Sequence, residues 1–196
     1  MHMTFEEFVM KVQQISKVGL MYSKDPYAIE NYTELESLSR EMLNAHLVNF
    51  TITKNVFERD TYPTPSSSVR VLVFNEKNEI LMVKEQDGGW AVPGGWCEIN
   101  LSLKENARKE VKEEANVDIE IDRLLAIHLR KLVTCNEYVH YYSAKALSHD
   151  LKPNHETMDV RYFNVNELPT LSLKNSQKEI ETALDVYLNH RAVYSE

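Results

Sequence analysis

Glycine is scarce in this 196-residue chain, cysteine is scarcer, and basic residues are outnumbered. The two cysteines, Cys97 and Cys135, stand without metal-type spacing, which argues against a disulfide scaffold or a zinc site and suits a reducing cytoplasm. No apolar run approaches the length that crosses a bilayer, and no signal-peptide pattern opens the chain, so a membrane partner is not expected. Twenty-two basic residues against thirty acidic ones leave a net charge of −8. A protein that lives on phosphate-backbone contacts presents a basic face, so nucleic acid is not the expected main partner. Nucleotides remain open as ligands, provided metal ions neutralise their phosphates.

What is present falls into two patterns. Thr4 with Glu7 makes a capping box, and Phe5, Phe8, Val9, Val12 and Ile15 follow at helical spacing until Gly19, which is expected to end the segment. Asp25-Pro26 supplies an N-cap and a first-turn proline for a second helix, whose apolar stripe is Tyr32, Leu35, Leu38 and Met42. Two such helices cannot make a core alone, so the spacing predicts a small helical domain over residues 1–50 that packs on a second copy, giving a homodimer. A polar, proline-bearing linker covers 51–66. From 67 to 196 the pattern becomes strands, Val69–Asn75 and Glu79–Glu85 first, joined by an Asn75–Asn78 turn. Further strand-like runs lie in Val117–Val133, Tyr138–Leu147 and Asp159–Val165. Ser176 with Glu179 reads as the capping box of a terminal helix. Strands interleaved with a central and a terminal helix indicate an α/β layered domain.

Four of the five glycines, Gly88, Gly89, Gly94 and Gly95, fall within eight residues, and a helix follows them. Ser102 and Glu105 form its capping box, and Asn116 suits its left-handed C-cap. At helical spacing Glu110 and Glu114 lie roughly 40° apart and Glu113 roughly 60° from Glu110, on an arc bordering the apolar positions Leu103, Ala107 and Val111. Such an arc is either a solvated face, with Lys109 and Lys112 nearby, or a seat for divalent cations. The glycines favour the second, because they let backbone approach closely and offer carbonyl oxygens.

In this register the segment resembles the Nudix hydrolases, whose pattern is Gly, five residues, Glu, seven residues, then Arg-Glu-aliphatic-any-Glu-Glu-any-Gly-aliphatic. Counting from Gly95, Glu110, Val111, Glu113, Glu114 and Val117 are in place. Leu101 stands for the first glutamate, Lys109 for the arginine and Asn116 for the glycine. The helical N-terminal segment and "PGGW" resemble a bacterial subgroup acting on nucleoside diphosphates linked to another moiety, CDP-choline and ADP-ribose among them.

The resemblance implies a Nudix-type α/β/α sandwich around a mixed sheet with a small N-terminal helical domain. It also implies a pyrophosphohydrolase using Mg²⁺ or Mn²⁺, held by Glu110, Glu113 and Glu114 with a carbonyl of Gly94 or Gly95. The water's base is Glu113, Glu114 or Glu156 of a later loop. Glu156 reads equally as an exposed loop acid, and His155 and Asp159 are weaker alternatives. For the substrate, Arg70 and Lys84 are placed to meet phosphates, although surface salt bridges are the commoner role for such residues. Trp96 reads evenly as a base-stacking platform or a core residue. His140 reads as structural. The family's proline marker for ADP-ribose would fall near Val133, and no proline lies there. The competing readings are a nucleotide-sensing module of the same fold and an RNA-directed phosphodiesterase.

Overall fold

The computed structural model describes residues 3–46, 51, 53, 65–131 and 136–196, without the side chains of Glu6 and Glu7. The expected Thr4–Glu7 capping box and the 132–135 segment, with Cys135, therefore lie outside the described side chains. The chain divides into two compact units, Met1–Pro63 and Thr64–Glu196.

The first unit is a helical hairpin of α1 (Phe5–Tyr22) and α2 (Pro26–His46), closed by the Phe5 and His46 rings at 4.5 Å. Asp25 caps α2 as expected, its Oδ1 accepting from the Tyr27 N–H at 3.1 Å. Gly19 does not end α1. The helix runs on to Tyr22, and the glycine is needed because a β-carbon there would collide with the Tyr32 ring of α2. Val9 and Leu43 are buried between the helices, while Phe8, Leu38 and Met42 stay more than half exposed.

The second unit holds β1 (Ser66–Phe74), β2 (Glu79–Lys84), β3 (Trp90–Ala91), α3 (Leu103–Ala115), β4 (Ile119–Arg130), β5 (Glu137–Ala146), β6 (Asp159–Asn164), α4 (Gln177–Leu188) and β7 (Tyr194–Ser195). Its mixed seven-stranded sheet runs β3-β2-β1-β5-β4-β7, with β6 also on β2. β1 and β5 are parallel, in register from Ser66 opposite Glu137 to Phe74 opposite Lys145. The β1–β2 turn closes as expected, with Asn78 left-handed and the Asn75 carboxamide accepting from Lys77 and Glu79 N–H.

Alternation along β1 divides the core. Val69, Val71 and Val73 face α3 with Ala107 and Val111, whereas Leu72 and Phe74 face α4 with Ile180, Ala183 and Leu184. The unit is thus an α/β/α sandwich with a helix on each side of the sheet.

Local signals at α3 hold at both ends. Ser102 and Glu105 exchange the reciprocal bonds of a capping box, and Asn116 takes φ 58°, ψ 27° beyond the last turn. At α4 the expected box does not form, and Ser176 makes no side-chain cap bond. Glu179 turns instead to the sheet, where Arg130 lies at 2.5 Å and the Tyr141 hydroxyl donates at 3.0 Å. A charge-assisted, partly buried pair outweighs an exposed local cap. Ser102→Ala should therefore cost about 1 kcal/mol in urea unfolding, and Ser176→Ala only a few tenths. Equal losses would contradict these cap assignments.

Candidate active site

Gly94 and Gly95 follow β3 and cross the start of β1. The Gly95 carbonyl accepts from Val69 N–H at 3.0 Å. Gly94 has φ 144°, and any β-carbon there would run into the Val69 carbonyl. Its own carbonyl accepts from the guanidinium of Arg70, which is 4 % exposed. Arg70 is therefore not the surface ion-pair former that residues of its kind usually are. It is buried under the glycine turn and fixes its carbonyl.

The acidic arc of α3 rests on this turn. Glu114 is 2 % exposed, and its Oε2 accepts from the Gly94 N–H at 2.8 Å. Glu110 packs on Gly95 so closely that a β-carbon would stand 2.7 Å from its Oε2. Glu113 points outward and pairs with Lys109, which also reaches Glu98 at 3.4 Å. Glu98 thus gives Lys109 a second carboxylate partner although Leu101 carries none. Burial first, then the Glu114 and Glu113 charges, push the Glu110 carboxyl up to about 7. Burial also raises Glu114, opposed by Lys174, the Gly94 N–H and Arg70.

Three residues outside the glycine–glutamate pattern complete the site. Lys174, in the loop before α4, sits 2.8 Å from Glu114 Oε1 and 2.9 Å from Glu85 Oε1. Asn106, buried on α3, donates to the Leu101 and Ser102 carbonyls and accepts from Glu98 N–H, so it shapes the loop ahead of the helix. The Thr157 hydroxyl donates to the Glu114 carbonyl at 3.0 Å, tying the 154–157 loop to the end of α3. Asn106 follows a cap by four residues, a weak signal; nothing local marks Lys174 or Thr157.

The remaining expected site residues scatter. Glu156 is on that tied loop, largely exposed, 3.6 Å from His155. Lys84 stands on β2 opposite Trp90 and Asp159. Trp96 is 59 % exposed beside Ser68, so it is not a core residue. His140 is structural, its Nδ1 3.0 Å from the Ser68 carbonyl.

Oxygen donors on one arc, against a close-packed glycine turn, are the donor set of a hard divalent cation. Glu110 fits this role best. It is half-buried and has no hydrogen-bond or ion-pair partner among the described residues, so only the charges of Lys109 and Lys174, beyond contact distance, offset its own. As they stand, no three carboxylates among the described residues converge on one point. Glu113 is engaged by Lys109, and Glu114 by Lys174 and Gly94.

The NUDIX domain matches residues 64–184, and a UDP-X-like N-terminal oligomerisation domain matches residues 4–49. The chain belongs to the Nudix hydrolase family. YjhB of Bacillus subtilis (strain 168), provisionally named an ADP-ribose pyrophosphatase, is 34 % identical over 192 residues, 94 % of this chain and 92 % of that protein. A crystal structure of UDP-X diphosphatase superposes with a TM-score of 0.65 at 31 % identity, covering 98 % of both chains. An ADP-ribose pyrophosphatase from Streptococcus suis gives a TM-score of 0.58 at 32 % identity, covering 68 % of this Nudix chain and all (100 %) of that one.

Glu110 generates a pH prediction. Its carboxyl holds a proton up to about 7 when folded, against an ordinary 4.5. The folded chain therefore binds more protons than the unfolded one between those values. Metal-free protein gains stability as pH falls through that window and loses it as pH rises. In EDTA, Glu110→Gln should add about 1–2 kcal/mol at pH 8, after allowance for partial exposure, and much less at pH 5. A gain equal at both pH values in denaturant titrations would contradict the assignment.

Proposed function

We propose that this Nudix protein is a divalent-metal-dependent pyrophosphohydrolase that cleaves a nucleoside diphosphate linked to another moiety, releasing a nucleoside monophosphate and a phosphate ester. The observation that carries the reading is the α3 carboxylate arc seated on Gly94–Gly95, with Glu110 half-buried and without a direct partner among the described residues. Glu110, Glu113 and Glu114 would hold Mg²⁺ or Mn²⁺, whose chemistry when bound is to neutralise the diphosphate and acidify a coordinated water. Arg70 holds the glycine turn, so that its backbone keeps the approach a substrate phosphate needs. Glu113, Glu114 or Glu156 would take the water's proton, Glu113 and Glu156 being the exposed ones. Trp96, next to Gly95 in the chain and open to solvent, would offer a face on which a base can stack. Lys84 remains a phosphate-contact proposal.

The substrate class rests on the relatives. One carries an ADP-ribose name and one a UDP-X name. ADP-ribose and UDP-linked compounds are accordingly leading substrates, CDP-choline and other nucleotide sugars join them on the sequence resemblance alone, and the −8 charge disfavours RNA. We place the protein in the cytoplasm, consistent with its sparing use of cysteine, and propose a homodimer built through the helical unit. The exposed Phe8, Leu38 and Met42 and the match to an oligomerisation domain support that assembly. Sedimentation showing a clean monomer at micromolar concentration would count against it.

A panel of these compounds and nucleoside triphosphates, each with Mg²⁺, Mn²⁺ or EDTA, tests the activity. Metal-dependent release of phosphate ester from one member is expected. Binding without cleavage across the panel would point to a sensing module. Glu113→Gln and Glu114→Gln should each lower turnover roughly a thousandfold, several kcal/mol of barrier. Near-wild-type rates in both would remove α3 from the mechanism.

A further inference from the structure

Lys174 stands 60 residues beyond Glu114 and outside the glycine–glutamate motif, yet its ammonium bridges Glu114 and Glu85. Its backbone is pinned. The Lys174 N–H donates to Ser172 Oγ at 3.1 Å, Ser172 and Leu173 both donate to Asp87, and Arg130 donates to the Lys174 carbonyl at 3.4 Å. The four-carbon side chain is not pinned in this way, and about a third of it (32 %) is open to solvent. A fixed backbone carries an arm held only at its ammonium, by Glu114 and Glu85, so exchange of those ion pairs is enough to move the charge locally.

Resting on the reading of Glu110, Glu113 and Glu114 as metal ligands, we propose that Lys174 is an internal counter-ion of the metal-free enzyme. It occupies Glu114, leaves that carboxylate when a divalent cation is taken up, and then presents its ammonium to a phosphate oxygen of the diphosphate. Three observations support this. Both oxygens of the buried Glu114 are already engaged, one by Lys174 and the other by the Gly94 N–H, so this carboxylate joins a cation cage only as the ammonium withdraws. Two cations sharing one desolvated carboxylate oxygen repel strongly. Glu85 stays 2.9 Å from the ammonium on the other side, so Lys174 can leave Glu114 without losing every partner. Arg70 is buried next to the same turn, and its positive charge opposes an inward swing. The outward path leads to solvent, where a bound diphosphate would be met.

Two measurements test the proposal. The first follows free Mn²⁺ by electron paramagnetic resonance, without substrate, for wild type, Lys174→Met and Glu114→Gln. Lys174→Met is expected to bind Mn²⁺ roughly tenfold more tightly, since no internal cation competes. Glu114→Gln is expected to bind it more weakly. If Glu114→Gln weakens binding while Lys174→Met leaves it unchanged or weaker, the counter-ion role is overturned and the metal site stands. If Glu114→Gln has no effect, the metal reading fails and takes this proposal with it. The second uses wild-type protein alone, so it holds even if a variant fails to fold. Amine-reactive labelling of Lys174, read by mass spectrometry, should rise on adding Mg²⁺ and fall again when inorganic pyrophosphate is added with Mg²⁺ in excess. Labelling that does not respond to Mg²⁺, or stays high with pyrophosphate, would overturn it.

Discussion

The structure depends on how closely a helix of carboxylates can be brought against a glycine turn. Gly94 and Gly95 leave no room for a β-carbon, because the Val69 carbonyl fills one place and the Glu110 carboxylate the other. That closeness lets the Gly94 N–H reach Glu114 and lets Arg70 hold the Gly94 carbonyl. The contacts of Glu110 and Glu114 draw two carboxylates out of water, and the cations around them answer them unequally. Lys109 takes Glu113 and Lys174 takes Glu114, while Glu110 is left without a partner among the described residues. Burial first, and then the neighbouring Glu114 charge, raises the Glu110 carboxyl, so a proton or a bound cation stabilises it there.

The surrounding fold serves this contact. β1 carries alternate residues to the two helical layers, so that Val69 and Val71 seat α3 while Arg70 projects to the opposite face and reaches the glycine turn. The loop before α4 brings Lys174 to Glu114, and the 154–157 loop ties itself to the end of α3 through Thr157. Asn106 fixes the approach to α3 from the other side. The UDP-X diphosphatase structure shares the fold over 98 % of both chains.

How much was legible in the sequence depends on the range of the interaction that decides each feature. Both ends of α3 could be read, because a capping box and an αL asparagine act within a few residues. The Asn75–Asn78 turn was legible for the same reason. The Ser176 box was misread because Glu179 answers to Arg130 and Tyr141, 49 and 38 residues away. Gly19 was misread as a stop because its reason, the Tyr32 ring, belongs to the next helix. The acidic arc was legible from helical spacing, whereas its unequal burial was not, because it depends on the glycine turn packed against Glu110 and Glu114. Lys174 was not legible, since its partners come from β2's far end and from α3.

The most direct measurement is the unfolding temperature of the metal-free protein at pH 8, in EDTA and then in millimolar Mg²⁺. A cation that binds the folded chain alone must raise it, and the account predicts a rise of roughly several degrees that Glu110→Gln largely abolishes. An unchanged unfolding temperature in the wild-type protein would contradict the claim that this carboxylate arc is built to hold a metal ion.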